Sequence, residues 1–305
     1  MASTNFQTML MLQMQLLLLI MIGFGLSKVG TITPQGRKSL SDLLINFILP
    51  CNIVKSFQID MSMDVLVSCA AMLLISIGAQ MFYLAVSKVI YPKAKGDQLA
   101  CLRYGTVCSN AGFLGMPVVE GIFGSMGLLL TSVALIPQRI VMWSAGLALY
   151  AHEPGKDVLK KLVKHPCIVA VYVGFALMLI GNPVMPTFVQ KTIDCSSASM
   201  LCVSMLAIGG ILAEAGRVNF KDPMVLWYSF VRLLLIPLLM FAVLSLLHVD
   251  KTVMGTMVIL SGMPAGSITA VLASKYDCDA AFASCMVFVS TVLSIGTLPI
   301  LCLLL

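Results

Sequence analysis

The chain has 305 residues, 59% of them hydrophobic and 10% charged, with a mean hydropathy of +1.01 and a formal net charge of +6. Soluble domains carry roughly 25% charged residues, so this chain has too little charge to cover a water-soluble globule, and an integral membrane protein built as one membrane domain is expected. The basic balance does not point to nucleic acid, because Lys and Arg fall in short connections between apolar runs, where the preference of basic loops for the cytoplasmic side accounts for them.

Ten apolar segments of about membrane-crossing length recur at 6–28, 38–58, 64–91, 98–121, 125–151, 166–183, 190–214, 223–248, 252–274 and 280–304. The first begins MASTNFQTMLMLQMQLLLLIMIG, without the basic start and small-residue cleavage site of a secretory signal, and reads as a retained span. The second carries NFILPCN, in which Asn46, Pro50 and Asn52 form a kinked polar element that either faces a cavity or serves packing.

The fourth segment contains SNAGFLGMPVVEGIFG, residues 109–124. Gly112, Gly115 and Pro117 interrupt a helix there, since proline offers no N–H to the carbonyl four residues back and disfavours helical geometry at Met116. Backbone groups freed at membrane depth are tolerated only where they face protein or a water-filled cavity. The tripeptide returns as Gly262-Met263-Pro264 in the ninth segment, 147 residues later. The longest connection, HEPGKDVLKKLVKH at 152–165, separates a first set of five segments (1–151) from a second (166–305).

Fourteen Lys and Arg residues, from Lys28 and Arg37 through Lys161 to Lys275, fall at one side of the expected membrane, against Lys55, Lys191 and Lys251 at the other. This bias places both termini outside the cytoplasm, in the cell membrane. Because each half holds an odd number of spans, the halves are expected to be inverted repeats, the plan of secondary transporters whose broken helices meet near the midplane.

Ionisable groups inside a membrane are functional candidates by default. Arg139 in Ile136-Pro137-Gln138-Arg139 lies deep in the fifth segment and suits a substrate carboxylate; a structural pairing with Glu120 or with helix-end carbonyls is the alternative. Arg232 in the eighth segment reads more readily as structural. Glu120 is a candidate for proton coupling, with a salt bridge or a place near the outer surface equally open. Asn110, whose amide both donates and accepts, is the stronger candidate for direct contact. Half-helix N-termini after Met116 and Met263 would present free N–H groups to an anion, and Ser261, Ser267 and Thr269 flank the second break.

The ten cysteines show no metal-ligand spacing and read as packing residues; three histidines, no phosphate-binding glycine loop and no nucleophile elbow leave no enzyme site, metal or cofactor to expect.

Three stretches resemble the auxin efflux carrier family, the bacterial relatives of plant PIN-type auxin transporters that include malate and malonate permeases: SNAGFLGMPVVEGIFG at 109–124, IPQRIVMWSAGLALY at 136–150 and SGMPAGSITAVLASKYDCDAAFASCMVFVSTVLS at 261–294. The resemblance implies an all-α polytopic membrane protein of ten transmembrane helices in two inverted five-helix repeats with crossed broken helices 4 and 9. It implies a scaffold of helices 1, 2, 6 and 7, and a transport domain of helices 3–5 and 8–10 that moves like an elevator. By motif position, Asn110 and Pro117 match the first crossover and Pro264 the second. Plant members carry a long central cytoplasmic loop where this chain has only 152–165. The fold also resembles bile-acid sodium symporters, but SGMPAGSITA lacks the acid or amide side chain of a sodium site.

The expectation is therefore a secondary active transporter of a small organic anion, such as malate, malonate or an auxin-like acid. Its substrate-binding candidates are Asn110, Gly115, Met116, Pro117, Arg139, Gly262, Met263, Pro264 and Ala265, with Asn46 and Asn52 from the second span. A sodium-coupled symporter and a ligand sensor that does not transport are the alternatives. The partners expected are the anion and the bilayer, with a homodimer left open.

Overall fold

Lipid offers no hydrogen bonds to a backbone, so long apolar runs satisfy their polar groups internally as helices. In the computed structural model, which describes residues 2–59, 62–143, 145–150, 166–181, 185–214 and 221–305, the chain is helical, and the described residues contain no β-strand.

Along the first half run α1 (Ala2–Lys28), α2 (Pro34–Leu43), α3 (Leu49–Ser56), α4 (Met63–Ser87), α5 (Gly96–Val107) and α6 (Met116–Trp143). The second half contributes α7 (Pro166–Leu179), α8 (Thr187–Glu214), α9 (Pro223–Phe230), α10 (Ile236–Leu246), α11 (Lys251–Ser261), α12 (Ile268–Lys275) and α13 (Ala280–Leu303). The connection expected at 152–165, and with it the boundary between the two halves, lies outside the described residues.

Among the described residues, five helical stretches are long and apolar enough, by length and composition, to cross a membrane: Met63–Ser87, Ala111–Met142, which is kinked at Gly124, Thr187–Ala213, Pro223–Leu246 and Ala280–Leu303. Met14–Lys28, Pro166–Leu179 and Lys251–Ser261 are shorter apolar helices. Large side chains such as Leu74, Met81, Phe188, Leu238 and Val243 stay exposed on the outside, an apolar exterior that fits lipid rather than water.

Short polar residues start the helices as their chemistry demands. Ser62 Oγ accepts the Val65 N–H, Asp222 those of Met224 and Val225, and Asp250 those of Thr252 and Val253, each meeting donors that the first turn leaves open.

Among the described residues, three helices widen into a π turn, at Leu44–Ile48, Ala111–Gly115 and Val231–Leu235, and in each a proline follows two residues after the turn: Pro50, Pro117 and Pro237. Proline cannot bond the carbonyl four residues back, and the wider turn, with Leu49, Met116 and Ile236 bonding five residues back, absorbs that defect without ending the helix.

The chain reverses inside α6. Gly124 has φ 60° and ψ −150°, a conformation open essentially to glycine alone. A Cβ at Gly127 would lie 2.9 Å from Val119 Cγ1, whereas residues eight apart on a straight helix are about 12 Å apart. The apolar run from Ala111 is thus a hairpin of two helical arms, as the expected boundary between the segments ending at 121 and starting at 125 requires.

Glycines also set how closely α1 packs along α8. A Cβ at Gly209 would collide with the Ile20 carbonyl oxygen, and one at Gly23 with that of Leu206. Two backbones that close leave no room for any side chain at the crossing.

Candidate functional site

The two helix breaks lie against each other and repair each other. Between α5 and the π turn, Cys108 (φ −117°, ψ 89°) and Asn110 (φ −79°, ψ 35°) leave helical geometry. Between α11 and α12 the chain is extended through Pro264 and Ala265. Ser109 and Ala265 pair antiparallel: Asn110 N–H donates to the Pro264 carbonyl at 2.8 Å, and Gly266 N–H to that of Cys108 at 3.3 Å. Ala265 N–H is met by Ser290 Oγ of α13 at 3.2 Å. Backbone groups that would otherwise stay open at membrane depth are closed by this two-strand contact.

The two Gly-Met-Pro tripeptides are therefore not structurally equivalent. Pro264 stands in its break, whereas Pro117 lies seven residues beyond the Asn110 turn, inside a continuing helix. The half-helices begin at Ala111 and Ile268, not after Met116 and Met263. The π turn is the reason: it lets Pro117 be carried within a helix that has already restarted.

On one side of the crossing lies a cavity of about 120 Å³, lined from the first break by Ser109, Asn110, Gly112 and Phe113, and from the second by Gly266, Ser267 and Ile268. Leu135, Gln138, Arg139 and Met142 of α6 face it, as do Cys167 of α7, Leu49 of α3 and Ile45 of the π turn before it. The N-terminal ends of both restarted half-helices thus border one space, and among the described residues no acidic side chain lines it. Gln138 braces the first break, its Nε2 donating to the Ser109 carbonyl at 2.9 Å while Ser109 Oγ donates to Gln138 Oε1 at 3.4 Å.

Arg139 is 7% exposed, and its Nη1 is fully buried without a hydrogen-bond partner among the described residues. A buried guanidinium donor left open is expensive. Through its other atoms Arg139 lines a cavity whose other polar groups are amides, hydroxyls and helix N-termini, a set of donors and positive dipole ends suited to a small anion.

Of the candidates named from sequence, the structure brings Asn110 and Arg139 to this cavity. Gly115, Met116, Pro117, Gly262, Met263, Pro264 and Ala265 sit behind the lining: Met116, Met263 and Ala265 are fully buried, and a Cβ at Gly115 would meet Leu260 Cδ2 at 3.0 Å. These residues build the crossing. Asn46 is exposed and donates to the Asp42 carbonyl at 2.8 Å. Asn52 is buried and bonds Ser197 Oγ of α8 at 2.9 Å. Glu120 lies on the first arm of the α6 hairpin, outside the cavity lining, with Lys55 as its charged neighbour; Lys55 also pairs with Asp194 at 3.4 Å. Arg232 is held in the core by carbonyls.

Sequence reasoning did not single out Gln138, Phe113 or Gly266, and it read Gly112 as a helix breaker rather than a cavity-lining residue. The signal was present for Gln138, a polar neighbour of Arg139 in an otherwise apolar segment.

Broken helices closing on each other around a buried cationic cavity, in an apolar helical chain, define a multi-pass membrane transport protein. The comparison with known proteins agrees. A family described as membrane transport protein matches this chain twice, over residues 8–157 and again over 151–302, and the chain belongs to that family, which includes the auxin efflux carriers. The chain is similar to an uncharacterised transporter of Methanothermobacter thermautotrophicus, 28% identical over 286 residues covering 91% of this chain and 92% of that protein. It is also similar to one of Methanocaldococcus jannaschii, 23% identical over 208 residues covering 67% of each.

Proposed function

We propose that the protein is a secondary active carrier of a small organic anion, a short-chain carboxylate of the malonate or malate kind, in the cell membrane. The observation that carries this reading is Arg139, a buried arginine that lines a cavity with no acidic side chain among its described lining residues. A carboxylate there would pair with the charge of the Arg139 guanidinium together with the Asn110 amide and the half-helix N–H groups.

Ten transmembrane helices in two inverted five-helix repeats are the arrangement we infer. It is supported by the double family match and by one broken helix in each half. In this arrangement the crossing and the α6 arms ride in a transport domain that slides against a scaffold formed by α1, the α2–α3 helix, α7 and α8. The cavity takes Ile45, Leu49 and Cys167 from that scaffold, so it would sit where sliding changes which side of the membrane it faces.

Uptake of radiolabelled malonate, malate and indole-3-acetate into proteoliposomes, under imposed proton, sodium and potential gradients, tests the proposal. Saturable uptake of at least one short carboxylate is expected. Absence of carboxylate flux under every gradient would overturn it, and binding without counterflow exchange would instead make the protein a sensor.

A further inference from the structure

The second intramembrane arginine faces away from the cavity and toward the opposite ends of the broken helices. Arg232 is 1% exposed. Its Nη1 donates to the Thr106 carbonyl at 3.0 Å and its Nε to the Met263 carbonyl at 3.2 Å, and its guanidinium carbon lies 4.9 Å from the centre of the Tyr83 ring. Thr106 is in the last turn of α5, and Met263 follows the end of α11. The partners are thus carbonyls from the C-terminal ends of the helices that lead into the two breaks, and no carboxylate joins them among the described residues.

Each helix C-terminus carries roughly half a negative charge in its unpaired carbonyls, so two converging ends present about one negative charge in a medium that solvates charge poorly. Unwound carbonyls and half-helix C-termini are the ligands that transporters use for a coupling cation. Here one permanently charged, forked side chain fills that role. Tyr228, one turn earlier on the same helix, adds a hydrogen bond to the Gly105 carbonyl at 2.9 Å. The π turn Val231–Leu235 before Pro237 carries Arg232 itself.

We propose that Arg232 is a resident cation: it occupies the seat between the two half-helix C-termini that a mobile alkali cation would otherwise take, so the carrier needs neither Na⁺ nor K⁺ to complete its site. This rests on the carrier reading above for its meaning in transport, but not for its test. Arg232 acts as a positioning residue, holding the two breaks in register while Arg139 stays open for substrate.

The test is thermal unfolding of the purified full-length protein in NaCl, KCl and choline chloride at equal ionic strength, without substrate. The wild type and Arg232→Lys, which retains a cation, should melt at the same temperature in all three salts. Arg232→Ala should be destabilised in choline and regain several degrees in NaCl or KCl, as expected when a ligand binds only the folded state. Arg232→Gln, which keeps one amide donor but no charge, should behave likewise and serves where Arg232→Ala cannot be purified. A Na⁺- or K⁺-selective shift in the wild type would overturn the proposal. So would the lack of any alkali-selective gain in both neutral variants, including their failure to fold in all three salts. Because no substrate enters the measurement, its outcome is independent of whether carboxylate uptake is found.

Discussion

Arg139→Met separates a binding arginine from a structural one, because the two roles predict opposite signs. In the native protein Nη1 is buried without a partner among the described residues, and an unsatisfied buried donor of this kind costs about 1–3 kcal/mol, more when charged. Methionine is flexible and apolar beside Met142 and Cys167, so the substrate-free variant should melt at the same temperature or higher. The gain would be about 2–4 °C for each kcal/mol recovered. Carboxylate binding should move the other way: a hydrogen bond to a charged group contributes about 1.5–3 kcal/mol, which converts to roughly 10- to 100-fold weaker affinity at 1.4 kcal/mol per tenfold. The assays are thermal unfolding in detergent and competition binding with radiolabelled malonate. Unchanged malonate affinity, or a fall of more than a few degrees in the substrate-free melting temperature, would refute the reasoning, since either would mean that Arg139 serves the fold.

Further substitutions probe the neighbouring parts. Gln138→Glu places a carboxylate beside Arg139 and removes the donor to the Ser109 carbonyl, so anion uptake should be lost while the protein still folds; uptake at the wild-type rate would remove Gln138 from the site. Gly124→Ala meets no atom within 4 Å, so its cost is conformational alone, about 1–3 kcal/mol for a side chain forced into this region, read as a lowered melting temperature with substrate affinity intact. Gly209→Leu drives α1 away from α8, because even a Cβ there meets the Ile20 backbone. Loss of the folded, monodisperse protein is expected, and wild-type melting would contradict the close packing of these helices.

Much of the helical plan was legible in the sequence. Helix covers part of each of the ten apolar segments, and the side-chain N-caps Thr33, Ser62, Asp222, Asp250 and Asp279 are polar islands at segment edges. Membrane solvation acts residue by residue, so a linear pattern carries that information. Arg139 and Asn110 were legible for the same reason: polar groups within an apolar run stand out wherever the fold later puts them.

The Gly-Met-Pro repeat shows where such reading stops. Identical tripeptides suggested identical roles, yet the π turn Ala111–Gly115 keeps Pro117 inside a helix, while Pro264 stands in the extended crossing. Which carbonyl a proline leaves open depends on the turn before it, and that turn is stabilised by contacts distant in sequence, such as the Asn110 N–H to the Pro264 carbonyl. Composition and periodicity determined that the chain is helical, membrane-embedded and broken once in each half. Only the tertiary structure decided that the breaks bond each other, that Arg232 is satisfied by Thr106 and Met263 whereas Arg139 is left open, and that the cavity falls to Gly112, Gly266 and Ser267. Both arginines stand out within apolar runs and Arg232 already reads more readily as structural, but what establishes its role is which carbonyls lie within about 3 Å of its donors, as hydrogen bonding requires.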